Sequence, residues 1–300
     1  AMDDARATCA RIGIPFYAIN MEGEFREAVV QRFVDEYAAG RTPNPCLECN
    51  RHVKFRHLVE RAKMIGADSL ATGHYARVVA GDAARNEPHR LFRAVDLRKD
   101  QSYVLYTLTQ EQLGFIQFPL GGLHKTETRA LARAFDLPVA EKAESQEICF
   151  VGNQSYAQFV AKRRPDVTVP GEVVDTAGVA LGEHKGLVHH TVGQRRGLGI
   201  ARKDPLYVIR LEPATNRVVV GSRAEAAARR IEVDAVSLIS GQWPDTPFEA
   251  EAMVRYRGAQ TPATIIPGDP GSRTLTVQFT GDGPVASPGQ ALVLYRGDEV

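Results

Sequence analysis

The sequence predicts an α/β N-terminal domain built on a parallel sheet, then a β-rich remainder that forms a barrel or a sandwich. Three observations predict it. Strand-like and helix-like runs alternate from Pro15 to Ala76, the order that builds a parallel sheet. After Pro165 the pattern changes to short runs of Val, Ile and Thr between Gly, Pro, Asn and Asp turns, as in barrels and sandwiches. A chain of 300 residues also has room for more than one core. The expected boundaries are 1–165, 166–223 and 224–300, with the Ala/Arg-rich stretch 224–230 at the second junction.

In chain order, Met2 to Ile12 reads as an amphipathic helix and PFYAINM (15–21) as a short buried strand. Phe25, Val29, Phe33 and Tyr37 recur at i+4 steps, which predicts a helix over 24–38 that Gly40 ends. A second helix is expected over 51–65, stopped by Gly66. SLATGHYA (69–76) reads as a strand running into a Gly-His turn. Ligands collect at such strand ends in open α/β sheets. A strand over 91–95 and helices over 103–113, 126–135 and 156–163 follow. The strand candidates beyond are VPGEVVD, GLVHHTVG, PLYVIRL, NRVVVG, FEAEAMVRYRG, TPATIIPG, RTLTVQF and QALVLY.

Charges nearly cancel, with Lys+Arg 37 against Asp+Glu 36, so a nucleic-acid partner must be met by local patches. One such patch is 184–203, which has no acidic residue and carries Lys185, Arg195, Arg196, Arg202 and Lys203 among glycines that let backbone approach phosphate. On charge alone, a solvated basic surface explains it equally well. No run reaches the ~18 apolar residues of a membrane span. There is no signal-peptide pattern, and the four cysteines have no framework spacing, which points to a reducing cytoplasm.

Asn44-Pro45-Cys46-Leu47-Glu48-Cys49-Asn50 puts two of those four thiols three positions apart. Pro43 and Pro45 stiffen the approach. Beside a helix N-terminus the Cys49 thiol is expected to be acidified, which suits a nucleophile. Cys-x-x-Cys is also half a zinc site, and inert core thiols are a further reading. Spacing alone ranks redox or nucleophilic use first.

GRTPNPCLECNRHVKF, ATGHYARV, KDQSYVLY, ESQEICFVG and HHTVGQRRGLGIA, in this order, resemble the tRNA-specific 2-thiouridylases of bacteria and organelles. The resemblance runs the whole length. It implies an N-terminal ATP-pyrophosphatase domain, a partial doubly wound parallel sheet of the adenine nucleotide hydrolase kind, before the central domain and barrel. It implies that ATP, with Mg2+, adenylates the 2-oxygen of the wobble uridine in tRNA and that a cysteine persulfide delivers sulfur.

The matching positions make Cys49 the nucleophile and Cys149 the persulfide carrier. Gly73 matches an ATP contact, and Asn44, Pro45 and Cys46 match the stretch that touches the target base. His74, Lys99, Asp100, Gln101, Arg255, Tyr256 and Gln290 match tRNA contacts. A sulfur donor such as a cysteine desulfurase or a sulfur-relay protein is the implied partner. Many family members carry Asp where this chain has Cys46. A less favoured alternative therefore has Cys46, Cys49 and Cys149 holding an iron–sulfur cluster. Another is a fragment that only binds tRNA. The family's Ser-Gly-Gly-x-Asp-Ser phosphate loop is absent from these residues. The expectation is a chain clipped at both ends, with an incomplete ATP site and no thiolation by itself.

Overall fold

The computed structural model describes residues 2–142, 148–200 and 202–300. Within it, the predicted class holds: an α/β first part is followed by two β-rich parts. Helix 22–38 forms as the pattern demands, burying Val29, Phe33, Val34 and Tyr37 along one face. It closes where Gly40 takes φ +71°, a conformation that suits glycine.

The second long helix, 45–64, starts six residues before the apolar pattern indicates. Asn44 is its N-cap, with Oδ1 accepting a hydrogen bond from the Cys46 N–H at 3.1 Å. Pro45 fills the first turn, where its missing N–H costs nothing. Both cysteines of the motif are therefore helical. The turns widen to π-type over Cys49–Leu58 and return to α over Val59–Met64.

The parallel sheet is small: β1 (Leu70–Ala71) pairs with β4 (Ile116–Gln117). β2 (Ala76–Val79) and β3 (Arg90–Arg93) make a separate antiparallel pair. Two expectations fail here. Residues 15–21 form no strand, and Tyr17 is 78% exposed, because no ladder partner lies alongside among the described residues. The expected helix 103–113 divides into a 3₁₀ turn, Ser102–Leu105, and a helix, Gln110–Phe115. Thr109 restarts the chain by capping it, its hydroxyl accepting from the Gln112 N–H at 3.3 Å.

The middle sheet runs β6 (Ala180–His184), β5 (Gly171–Val174), β8 (Arg217–Gly221), β7 (Tyr207–Glu212), with β5 and β8 parallel. GLVHHTVG is a 3₁₀ turn, Leu187–His189, not a strand. Gly186 takes φ +116°, and a Cβ there would lie 2.6 Å from Thr168 Cα, so the chain turns under its neighbour. The last sheet is antiparallel, in the order β13 (Val293–Tyr295), β10 (Phe248–Met253), β11 (Thr261–Pro267), β12 (Leu275–Phe279), β9 (Arg230–Val233).

The parts share cores. Met253, Val293 and Tyr295 pack with Phe55, Leu91, Tyr103 and Leu105 of the first part. Phe33, Val34 and Tyr37 pack with Val167 and Val188 of the middle part. Among the described residues no helix is long and apolar enough to cross a membrane.

Candidate functional site

Helix 22–38 brings the distant thiols together. Arg32 pairs with Glu48 at 3.2 Å, which holds the residue before Cys49. Its neighbour Phe33 meets the Phe150 ring edge-on at 5.3 Å, which holds the residue after Cys149. Phe150 is further pinned by Phe25 and Phe159. Cys149 itself is exposed, Cys49 is half-buried and Cys46 is exposed, all as free thiols. The charge of Cys149 is felt at both Cys46 and Cys49, as expected of thiols sharing one site. Residues 144–147 of the ESQEICF motif lie outside the described residues.

The thiols are not acidified as the sequence suggested. Burial pushes Cys49 up from its ordinary value; Lys54 opposes this, while Cys149 and Cys46 add to it. Cys46 shows the same pattern, since its side chain is crowded although the residue as a whole is exposed. The reason is position. The helix starts at Pro45, so Cys49 lies beyond the first turn, where the macrodipole fades.

Lys54 is the residue that sequence reasoning missed. It is half-buried and has no ion pair among the described residues. Its charge acts on Cys46, Cys49 and His74 together. The i→i+5 turns carry Lys54 toward the Cys49 face, where α-turns would hold them roughly 140° apart. The signal was present in the CNRHVKF stretch, but only the helix register gives it meaning. Lys54→Met is expected to slow alkylation of Cys49 at neutral pH by about threefold, the scale of a half-exposed charge pair. The alkylation–pH curve should move upward, because losing a cation disfavours the thiolate. Lys54→Arg should keep the wild-type curve, and an unmoved curve in Lys54→Met would refute the role.

Gly73 lies just past the C-terminal end of β1. A Cβ there would meet only Leu120 Cδ1 at 3.9 Å, so neither crowding nor a positive φ requires glycine. The open space suits a ligand backed against a strand end. His74 is buried between the rings of Phe55 and Phe118, with Nδ1 at 2.8 Å from Thr72 Oγ1. Burial, with help from Lys54, brings its pKa down to about 4, so it is neutral at pH 7.

The KDQ run faces inward in part. Asp100 is buried, with Oδ1 accepting from the Ala94 N–H at 2.9 Å and Oδ2 from the Ser102 hydroxyl at 2.9 Å. Gln101 grips Tyr75 from both sides, accepting from its N–H at 3.0 Å and donating to its carbonyl at 2.8 Å. Lys99 is half-exposed beside them. The Tyr256 hydroxyl donates to the Asp100 carbonyl at 3.3 Å, and Arg255 is exposed on the preceding turn position. Gln290 donates to the Thr42 carbonyl at 2.6 Å, against the cysteine loop. Among the described residues no group of three or more His, Cys, Asp or Glu could hold a metal ion, so the three thiols do not make a ligand set as placed.

In the basic run, Lys185, Arg195, Arg196, Arg202 and Lys203 are all exposed, and none has an ion pair among the described residues. His184 and His190 lie buried beneath them. His184 accepts from the Gly186 N–H at Nδ1, leaving Nε2 to donate to the Asn216 carbonyl.

The class that emerges is an α/β part carrying paired thiols beside an open strand end, joined to two β-rich parts with an exposed cationic run. Residues 1–153 match the tRNA methyl transferase HUP domain, 157–222 its PRC-barrel domain, and 228–300 the aminomethyltransferase beta-barrel domain. The chain is 44% identical to the tRNA-specific 2-thiouridylase MnmA of a Roseiflexus species, over 99% of this chain and 83% of that protein. It is 48% identical to the MnmA of Methylorubrum populi (98% of this chain, 76% of that one) and 48% identical to that of Geobacter metallireducens (99% and 79%). The chain belongs to the tRNA-specific 2-thiouridylase family.

Proposed function

We propose that this protein thiolates the wobble uridine of tRNA at position 2, using ATP and a cysteine persulfide. The carrying observation is the pair Arg32–Phe33, which anchors Glu48-Cys49 and Cys149-Phe150 against one helix. Two thiols about a hundred residues apart in sequence, fixed by adjacent residues, suit a two-cysteine relay.

In this reading the uridine 2-oxygen attacks the α-phosphorus of ATP; an O–P bond forms and pyrophosphate leaves. The protein's part is to hold the base by the Asn44-Pro45-Cys46 stretch and to leave room beside Gly73 for the nucleotide. Mg2+, when bound with ATP, would neutralise the phosphates. Cys149 carries the persulfide supplied by a donor protein, a desulfurase or sulfur-relay protein. The Cys49 thiolate attacks Cys149 Sγ, the persulfide S–S bond breaks, and hydrosulfide is released. Hydrosulfide adds to C2, the C–O bond breaks and AMP departs. The Cys49–Cys149 disulfide that remains is returned to two thiols by a dithiol reductant.

The test is mass spectrometry of tRNA incubated with ATP, a persulfide donor and a form of the protein that carries the Ser-Gly-Gly-x-Asp-Ser loop. Appearance of 2-thiouridine only when ATP is present supports the reading. Binding of tRNA without any 2-thiouridine would reduce the chain to a tRNA-binding module. An anaerobically purified sample containing stoichiometric iron would replace the persulfide route.

The exposed cations of 184–203 are the proposed grip on the tRNA backbone. Arg195→Ala with Arg196→Ala is expected to weaken tRNA binding about tenfold at low salt. The slope of log K against log salt should fall by about 1.4 to 1.8, because two fewer phosphates are neutralised. Unchanged affinity and slope across a salt titration would show that the run is only solvated surface.

A further inference from the structure

The segment 285–291 touches all three parts of the molecule. Val285 packs into the middle core and faces Gly193, where an added Cβ would lie 3.0 Å from Val285 Cγ1. The Ser287 hydroxyl donates to the Val192 carbonyl at 2.8 Å, three residues before Arg195. The Pro288 carbonyl accepts from the Thr42 N–H at 2.8 Å. Gly289, at φ +89°, brings the backbone so close that a Cβ would lie 3.0 Å from both Arg41 Cβ and the Thr42 nitrogen. Gln290 Nε2 donates to the Thr42 carbonyl at 2.6 Å, and the Ala291 carbonyl accepts from the Tyr103 hydroxyl at 2.7 Å.

Both backbone polar groups of Thr42 are thus taken by residues 288 and 290. Thr42 precedes Pro43, Asn44 and Pro45, whose restricted backbones pass any shift of Thr42 on to Cys46. We infer that Gln290 is a positioning residue: it clasps the cysteine loop at Thr42 and fixes where the target-base stretch Asn44-Pro45-Cys46 meets the substrate. This differs from a direct grip on tRNA, and it rests on the proposed reading of that stretch. The same segment reaches the basic run through Ser287, so the surface that holds tRNA and the loop that acts on it share one support.

The experiment compares wild type with Gln290→Ala and Gln290→Glu in the whole chain. The Glu variant keeps the size but sets a carboxylate oxygen against the Thr42 carbonyl. Three quantities are read: hydrogen exchange at the Thr42 amide, tRNA affinity, and single-turnover thiolation. Positioning predicts exchange at Thr42 faster by about tenfold and affinity within about twofold of wild type. It also predicts thiolation slower by about tenfold or more, since small misplacement of a reacting loop is costly. Gln290→Glu should be at least as impaired as Gln290→Ala. Weakened affinity with unchanged exchange would make Gln290 a tRNA contact and overturn the assignment. Unchanged exchange in both variants overturns it as well. If wild type itself shows no thiolation, the functional reading fails, while the exchange at Thr42 still decides the clasp.

Discussion

In a form of the protein that carries the phosphate loop, Cys49→Ser and Cys149→Ser are each expected to abolish thiolation, by about three orders of magnitude or more. The double variant should be no worse than either single one, because residues acting as one unit do not add. Both thiols are needed in the same cycle: one carries the sulfur, the other breaks the S–S bond that holds it. Serine cannot form or accept a disulfide, so neither loss can be bypassed. Cys9→Ser should retain nearly full activity, since Cys9 sits in the helix Met2–Ile12, and among the described residues no contact links it to the other thiols. The measurement is 2-thiouridine in tRNA, with circular dichroism to check folding. Equal damage from all three substitutions would point to a shared structural cause and sink the relay.

The raised thiols shape the same experiment. Burial disfavours the Cys49 thiolate in the resting protein, so the attack on Cys149 should accelerate as pH rises through the alkaline range. A rate already at its plateau at neutral pH would mean that something other than Lys54 charges the thiol. The expectation of an acidic thiol failed for a definable reason. The apolar pattern places the helix start at residue 51, after Cys49. The real start is set by Asn44 and Pro45, a cap and a first-turn proline, whose meaning is as plain in sequence as the apolar pattern.

Other features were legible because one local rule decided them. Helix 22–38 follows from its i+4 apolar stripe, and the terminal strands follow from alternation that tertiary packing did not oppose. Residues 15–21 misled because a strand is not a local object; its backbone groups need a neighbour, and sequence does not report one. GLVHHTVG misled because Gly186 turns the chain within an otherwise apolar run. Lys54 is invisible in sequence because its neighbours are set by helix register; Gln290 is named by the resemblance, but its hydrogen bond to Thr42 is not legible because that partner is 248 residues away.

Asp100 supplies the largest expected effect on stability. The family match reads it as a tRNA contact, yet its carboxylate is spent inside the protein. Oδ1 accepts from the N–H groups of Ala94 at 2.9 Å and Ser102 at 3.3 Å, and Oδ2 accepts from the Ser102 hydroxyl. That hydroxyl lies 3.2 Å from the Tyr295 hydroxyl on β13, and Arg93 stands 3.5 Å from Oδ2. The carboxylate therefore joins β3, the 3₁₀ turn and the last sheet at one buried point. Asp100→Ala leaves two buried N–H groups and a hydroxyl without their acceptor, and Arg93 without its counter-charge. Leaving such groups unpaired costs about 3 to 5 kcal/mol. Asp100→Asn keeps one acceptor oxygen and offers the Ser102 oxygen a donor, so its expected cost is about 1 to 2 kcal/mol. Denaturant midpoints for the two variants measure the difference, with tRNA affinity read on the folded fraction. An Asp100→Ala protein with an unchanged midpoint and weakened tRNA binding would return Asp100 to the tRNA surface. A midpoint lowered in the order Ala, Asn, wild type would place its role inside the fold, holding Tyr103 and Tyr256 behind the cysteine loop.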